Sequence, residues 1–349
     1  MKEVCMKLLL LGLAATISLS SSFVFGQCCK GISSSLNITN QNRYADTGFN
    51  KNNLQSNLTI KGSVDLNGFV EIDAIIQSGN YNTGYNTIYN MTAGEFNKLD
   101  AATQIYLKKL YLKKVMLNGN LTASLGAMDN RNGISQTNSL SSAGWVDGAR
   151  VELKTAVGLI TMTAGQIKSS EPNSIDRIKN LNINYFELTM TRQIFDKLLI
   201  EGGLEFLNGK PLIEAASKYD IETATGKIIK LVADVNLDAK TGSTKFGVGI
   251  QDIISIFRTK PSPVKLAVNY EYISSKYNPE MNKLNNSMHT GYTGGAVVTS
   301  VQYPISKKLG INGFTNVRIG NQNSDFRFES GIVKTLFNKT SKKIGILNN

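Results

Sequence analysis

Few side chains in this sequence have the reactivity to do covalent chemistry. The 349 residues contain one histidine, His289, with Ser287 two positions before it. A hydrolase needs a nucleophile and a base held against each other, and two residues this close on one polar loop make a poor dyad, so no enzyme activity is expected. Of the three cysteines, Cys28 and Cys29 are adjacent. A strained vicinal disulfide and acylation of Cys28 are both open, although Gln27 fits poorly the small residue that lipoprotein processing requires. There is no histidine cluster, no spaced cysteine quartet and no glycine-rich strand-to-helix loop, so neither a metal nor a nucleotide cofactor is expected.

What remains is charge at a regular spacing. Arg150, Glu152 and Lys154 occupy alternate positions, as do Glu201 and Glu205 with Gly203 between them. Lys230 and Asp234, Lys245, Lys265 and Glu271, Arg318, and Arg327 with Glu329 fall in similar surroundings. Apolar residues fill the intervening file: Leu198, Ile200, Leu204 and Phe206 flank the two glutamates, and Phe246, Val248 and Ile250 follow Lys245. Period-two alternation puts one file on each face of a β-strand.

These segments recur along almost the whole chain. Before them comes a leader: Lys2 and Lys7, an apolar run of about twelve residues from Leu8 to Leu19, serines, and Val24-Phe25-Gly26. It reads as a secretory signal peptide, residues 1–26, because the run is shorter than the roughly 20 residues a membrane-spanning helix needs. Residues 27–349 then form one domain. Losing Lys2, Lys7 and Glu3 removes one net positive charge from the +12 of the whole chain. Nucleic acid is a poor partner for such a basic excess, since the lysines are scattered and the protein is exported.

The first strand lies around Leu36 and Ile38, and the second carries Leu54, Ser56, Leu58 and Ile60 to a tight turn at Gly62-Ser63. A third runs from Val64 to Gln77. Residues 78–103 make a long polar loop. Lysines 108, 109, 113 and 114 break both registers over 104–117, which is either a strand realigned by a bulge or an amphipathic helix. Clean alternation resumes at 121–127, and a second long loop covers 129–144. Strands follow at 150–154, 159–167, 181–192, 198–206, 229–237, 246–250, 264–274, 296–303, 309–320 and 326–337. Residues 209–226 read as a loop. Counting 253–259 as a further strand then keeps the long loop after Ser274 on the side of the other long loops. The total is sixteen, with fourteen to eighteen allowed. Long and short connections alternate, so the fold expected is all-β: a transmembrane antiparallel up-and-down β-barrel. A secreted β-sandwich or adhesin, with no channel, is the rival, because alternation alone does not separate a lipid face from a protein core.

The chain resembles the bacterial outer-membrane porins of Gram-negative cells. LQSNLTIKGSVDLNGFVEID at 54–73 is similar to the opening hairpin of that family, WVDGARVEL at 145–153 with GLITMTAG at 158–165 to another recurrent hairpin, and YPISKKLG at 303–310 to a late periplasmic turn. Porins usually end on an aromatic residue, and here Phe337 is followed by a tail, 338–349. Either the tail is tolerated at the rim, or Ile344 and Leu347 belong to a strand of different phase.

The resemblance implies a water-filled channel in the outer membrane, surrounded by lipid and lipopolysaccharide, narrowed by an inward-folded loop, and assembled as a homotrimer. Residues 78–103 and 129–144 are both candidates for that loop. The thirteen charged residues named above would line the lumen. Opposed charges on facing walls create a transverse field that admits small polar solutes, and the basic excess points to mild anion preference. Tyr185, Phe186, Phe195, Phe206, Tyr270, Tyr272, Tyr303 and Phe337, near strand ends, suggest interfacial girdles, although β-propensity enriches the same residues.

Overall fold

The computed structural model describes residues 32–46, 52–66, 70–78, 86–90, 95–96, 105–129, 133–134, 145–167, 182–223, 226, 228–254, 263–277, 293–321 and 326–341. The signal-peptide reading, Cys28, Cys29, His289, Ile344 and Leu347 lie outside these residues. Within them the chain forms β1 (Ile32–Asp46), β2 (Asn52–Leu66), β3 (Glu71–Ser78), β4 (Asn86–Asn90), β5 (Glu95–Phe96) and β6 (Ile105–Met116). Then come β7 (Leu121–Asp129), β8 (Trp145–Thr155), β9 (Gly158–Gln166), β10 (Tyr185–Phe195), β11 (Leu198–Leu207) and β12 (Lys210–Glu222). The series ends with β13 (Ile228–Asp238), β14 (Thr244–Gln251), β15 (Lys265–Ile273), β16 (Gly294–Ser306), β17 (Ile311–Gly320) and β18 (Phe326–Ser341).

β4 and β5 are short pieces within the loop after β3, and β4 adds onto the end of β2 with Tyr89 opposite Leu54. The other sixteen strands pair antiparallel with their neighbours. β1 pairs with both β2 and β18, so the sheet closes into a barrel and leaves no edge of unpaired amides.

The alternation read in the sequence sorts the wall into two faces. Leu125 is 61% exposed and Ile319 59%, whereas Glu205 and Lys245 are 0% exposed. Leu204, Phe206, Val235, Val248, Ile250, Tyr270 and Val297 share the outer face. A water-soluble domain buries its apolar file and exposes its charges; here the order is inverted, as lipid outside and a polar interior require. Three aromatic groups mark the outer wall near the long-loop end. Phe186 and Phe206 have ring centroids 6.2 Å apart, Phe246 lies 6.2 Å from Tyr270 and 5.4 Å from Tyr272, and Tyr44 lies 6.0 Å from Phe328. Tyr185 departs from the girdle reading: it is buried in the interior.

Several connections differ from the sequence reading. β2 runs past Gly62-Ser63 to Leu66, where the Leu66 amide donates to the Val70 carbonyl at 2.9 Å just before β3. Val64 and Leu66 stay outward because the shift is even. Residues 104–117 contain a strand and not a helix: Ile75 pairs with Lys109 and Ile76 with Leu107, so Lys108 is the bulge. That extra residue sends Lys109, Tyr111 and Lys113 inward while Leu110 and Leu112 face out.

Residues 209–226 are not a loop. Asn208 (φ 51°) and Gly209 (φ 73°) form a two-residue turn, Leu207 pairs with Lys210, and β12 follows at once. Conversely, of the 253–259 stretch read as a strand, Ile253 and Ile254 sit in a 3-10 turn, 255–259 lie outside the described residues, and β14 pairs directly with β15. The two changes offset each other, so the count of sixteen stands. At the far end, β18 continues beyond Phe337 through a bulge at Leu336, and Asn338 pairs with Asn37.

Candidate functional site

In an antiparallel sheet, directly opposed residues lie on the same face, so the inward face can be followed from strand to strand. Thr163 opposes Arg150 on one side and Glu187 on the other; Glu187 opposes Glu205. One step along, Gly203 opposes Glu214, Glu214 opposes Asn236, Asn236 opposes Lys245, and Lys245 opposes Ile273. By this rule all thirteen charged residues singled out from the sequence fall on the inner face.

The structure brings some of them together. Arg318 Nη1 pairs with Glu271 Oε2 at 3.5 Å across β16, both side chains buried. Arg327 places Nε 3.0 Å and Nη2 2.6 Å from Glu329 Oε1. Glu329 also receives Arg43 Nη1 at 3.0 Å and Asn316 Nδ2 at 3.5 Å, while Arg43 Nε donates to Gln55 Oε1 at 2.9 Å. Lys230 Nζ stands 4.0 Å from Asp252 at the rim. Arg150 donates from Nε to Thr163 Oγ1 at 3.0 Å and from Nη2 to the Asp129 carbonyl at 2.6 Å. Asp234 is buried, Glu152 half-buried, and Lys154 and Lys265 are exposed.

Glu201 meets a loop. The Ile134 amide donates to its two carboxylate oxygens at 3.1 and 3.0 Å, and Thr191 Oγ1 donates at 2.8 Å. Glu201 lies on the inner face, so Gly133 and Ile134, the described residues of the 129–144 connection beyond β7, stand inside the barrel. Of the two loops that fitted an inward fold, this one makes a described contact with the inner wall.

The interior divides into two halves. Near the long-loop end an apolar cluster of Met128, Val146, Ile167, Tyr185, Leu207, Leu212, Ile273 and Tyr277 fills the inside. Just below it Glu187, Glu205 and Glu214 lie buried with carboxylate oxygens within 4.8 Å of one another, and the Tyr185 hydroxyl donates to Glu205 Oε1 at 3.4 Å. Burial, then Glu205, Asp238 and Glu214, push the Tyr277 hydroxyl well above its ordinary range, so it stays a donor. The opposite half is open. A cavity of ≈ 670 Å³ is lined by Arg43, Lys265, Lys307 and Glu329 with Gln41, Gln302 and Asn316 among its polar neighbours.

The sequence reading missed Arg43, Lys109, Glu187 and Glu214 as interior groups. Glu187 shares the file of Tyr185 and Thr189 and was open to the same parity argument. Glu214 was hidden by the assignment of 209–226 to a loop, although Asn208-Gly209 is a strong hairpin signal.

No protein-family model matches the chain, and no curated protein matches it. Solved structures do. OprB of Pseudomonas putida superposes with a TM-score of 0.54 at 9% identity, covering 88% of this chain and 93% of that one. OccK3 (OpdO) of Pseudomonas aeruginosa gives 0.52 at 12% identity over 88% and 96% of the two chains. A mutant of the Rh. blastica porin gives 0.52 at 9% identity over 87% and 100%. With so little identity the likeness is one of architecture: the chain has the fold of the bacterial outer-membrane porins.

Proposed function

We propose that this protein is an outer-membrane diffusion channel for small polar or ionic solutes, with a mild preference for anions, and not an enzyme. The observation that carries this reading is the inverted wall, a closed cylinder with apolar residues outside and charged residues within. The open half of the interior supports the choice of solute. Its cavity is lined by three bases, Arg43, Lys265 and Lys307, against one acid, Glu329, and the whole chain carries a net charge of +12. Facing charges hold a field across the path that favours polar over apolar solutes.

The thirteen charged residues are proposed to line or flank this path, and the loop anchored by Ile134 on Glu201 to narrow it. Export by residues 1–26, with 27–349 as the barrel domain, belongs to the same reading, as do lipid and lipopolysaccharide around the outer wall and a homotrimer as the assembly.

A closed barrel without conductance is the second reading, favoured by the apolar cluster and buried carboxylates that fill one half of the interior. Planar-bilayer recording of the refolded mature chain across a salt gradient separates the two. Discrete conductance steps with a reversal potential of the anion-selective sign are expected. Silence from protein shown to be inserted selects the closed barrel.

A further inference from the structure

Glu187, Glu205 and Glu214 come from three consecutive strands, β10, β11 and β12, and all three are buried. Glu187 and Glu205 are direct cross-strand neighbours, and Glu214 reaches them because the residue opposite it is Gly203. A Cβ at Gly203 would stand 2.8 Å from Glu214 Oε1. The missing side chain is therefore the space that the Glu214 carboxylate occupies as it leans toward its partners. Three carboxylates held within 4.8 Å repel one another strongly in a water-poor interior and need compensation from a cation or from protons. Arg150 acts on Glu187, and Lys245 is shared by Glu271, Asp234 and Glu205. Two bases do not balance this group, because Glu201 and Asp234 add to the same acidic wall.

A second observation, independent of the carboxylates, points to a ligand. Asn236 opposes Glu214 on the inner face, is 1% exposed, and has neither Oδ1 nor Nδ2 hydrogen-bonded. The Tyr277 hydroxyl, at the same end of the interior, and Glu187 Oε2 are likewise buried without a hydrogen-bond partner. Buried polar atoms are nearly always paired, so orphans on or beside the strands that carry these carboxylates mark a missing partner. A hard cation would accept Glu187 Oε2 and Asn236 Oδ1 as ligands together with the other carboxylates.

We propose that Glu187, Glu205 and Glu214, with the amide oxygen of Asn236, form a binding site for a hard divalent cation of the Ca²⁺ class inside the barrel. All four donors are oxygens, which excludes the thiolate and imidazole sites that zinc and copper prefer. Ligands spread over β10 to β13 suit the irregular coordination of Ca²⁺ better than the near-octahedral demand of Mg²⁺. Bound there, the ion ties four strands together and neutralises the acidic wall facing the basic cavity.

The test is calorimetric titration of the chelator-treated, refolded full-length mature protein with Ca²⁺, which does not depend on conductance. One saturable site per chain is expected, weakened ~10-fold or more in Glu214→Gln and in the conservative Glu214→Asp. Glu222→Gln, an exposed acid paired with Lys197, should leave it unchanged, and Asn236→Asp should tighten it. Terbium in place of calcium should give luminescence sensitised by Tyr185 and lost in Glu214→Asp. No saturable Ca²⁺ binding, or binding unaltered in the folded Glu214→Asp protein, would overturn the proposal. So would Glu214→Gln protein that gains thermal stability while Ca²⁺ adds none to the wild type, since protons alone would then compensate the cluster. A channel that conducts yet fails to bind Ca²⁺ rejects this site without touching the reading of the barrel as a pore.

Discussion

Arg43 donates from Nη1 to Glu329 Oε1 at 3.0 Å, joining residues 286 positions apart across the seam where β1 closes on β18. Glu329 is also held by Arg327 and Asn316, so one carboxylate compensates two guanidinium groups at the wall of the open cavity. Glu329→Leu removes the carboxylate that both cations share, and removing one member of a buried pair typically costs about 3 kcal/mol or more. A fall of that size is expected in denaturant unfolding from detergent micelles, with a shift in reversal potential toward stronger anion selectivity. The double variant Arg43→Met, Glu329→Leu should recover part of the stability; if it is no better than Glu329→Leu alone, the seam pair does not matter.

Leu204 is in the middle of β11 on the outer face, 44% exposed. Lysine at such a position costs about 2 to 4 kcal/mol at the bilayer midplane. Leu231→Lys tests the same face on β13, where Val232 beside it points inward. Both variants should insert into liposomes less completely than wild type, as read by the fraction that migrates as folded protein without heating. Wild-type insertion of Leu231→Lys would mean that the register of β13 is wrong.

The turn between β11 and β12 needs positive φ at both Asn208 and Gly209. Valine at 209 is forced into a left-handed conformation at about 1 to 2 kcal/mol, and the hairpin that positions Glu214 begins one residue later. Gly209→Val should lower the unfolding midpoint accordingly, whereas Asn208→Gly should leave it nearly unchanged.

That turn also shows what the sequence made legible. Alternation is a local signal, so the two faces and the shared file of residues such as Glu205 and Lys245 could be read from parity, while the closed antiparallel architecture also needed the alternation of long and short connections. Parity survives a misplaced turn if the shift is even, which is why Val64 and Leu66 were assigned to the correct face from the wrong strand. Boundaries fared worse. Residues 209–226 read as a loop, although a proline such as Pro211 is tolerated at the start of a strand and Leu212, Glu214 and Ala216 alternate with Ile213, Ala215 and Ser217. Ile253-Ile254 had the apolar content of a strand, but β14 and β15 pair without it. The site was legible only as a file. Which charges meet depends on cross-strand register, a non-local property set by turns and bulges, so neither Arg43 with Glu329 nor Glu214 over Gly203 could be found from spacing.

Glu201 gives the last test, because one carboxylate holds Gly133 and Ile134 against the inner wall. It accepts the Ile134 amide with both oxygens and the Thr191 hydroxyl with one. A charged acceptor for a backbone amide contributes about 1.5 to 3 kcal/mol, enough to hold a short loop segment against the entropy it loses. Glu201→Leu removes the acceptor and fills the space, so the segment around Ile134 is released from β11. The expected result in planar bilayers is a larger mean conductance with more frequent flicker. Glu201→Gln retains one acceptor oxygen and should fall between the leucine variant and wild type. Equal conductance in all three would show that the path does not pass the loop, and would locate it wholly along the cavity beside Arg43 and Lys265.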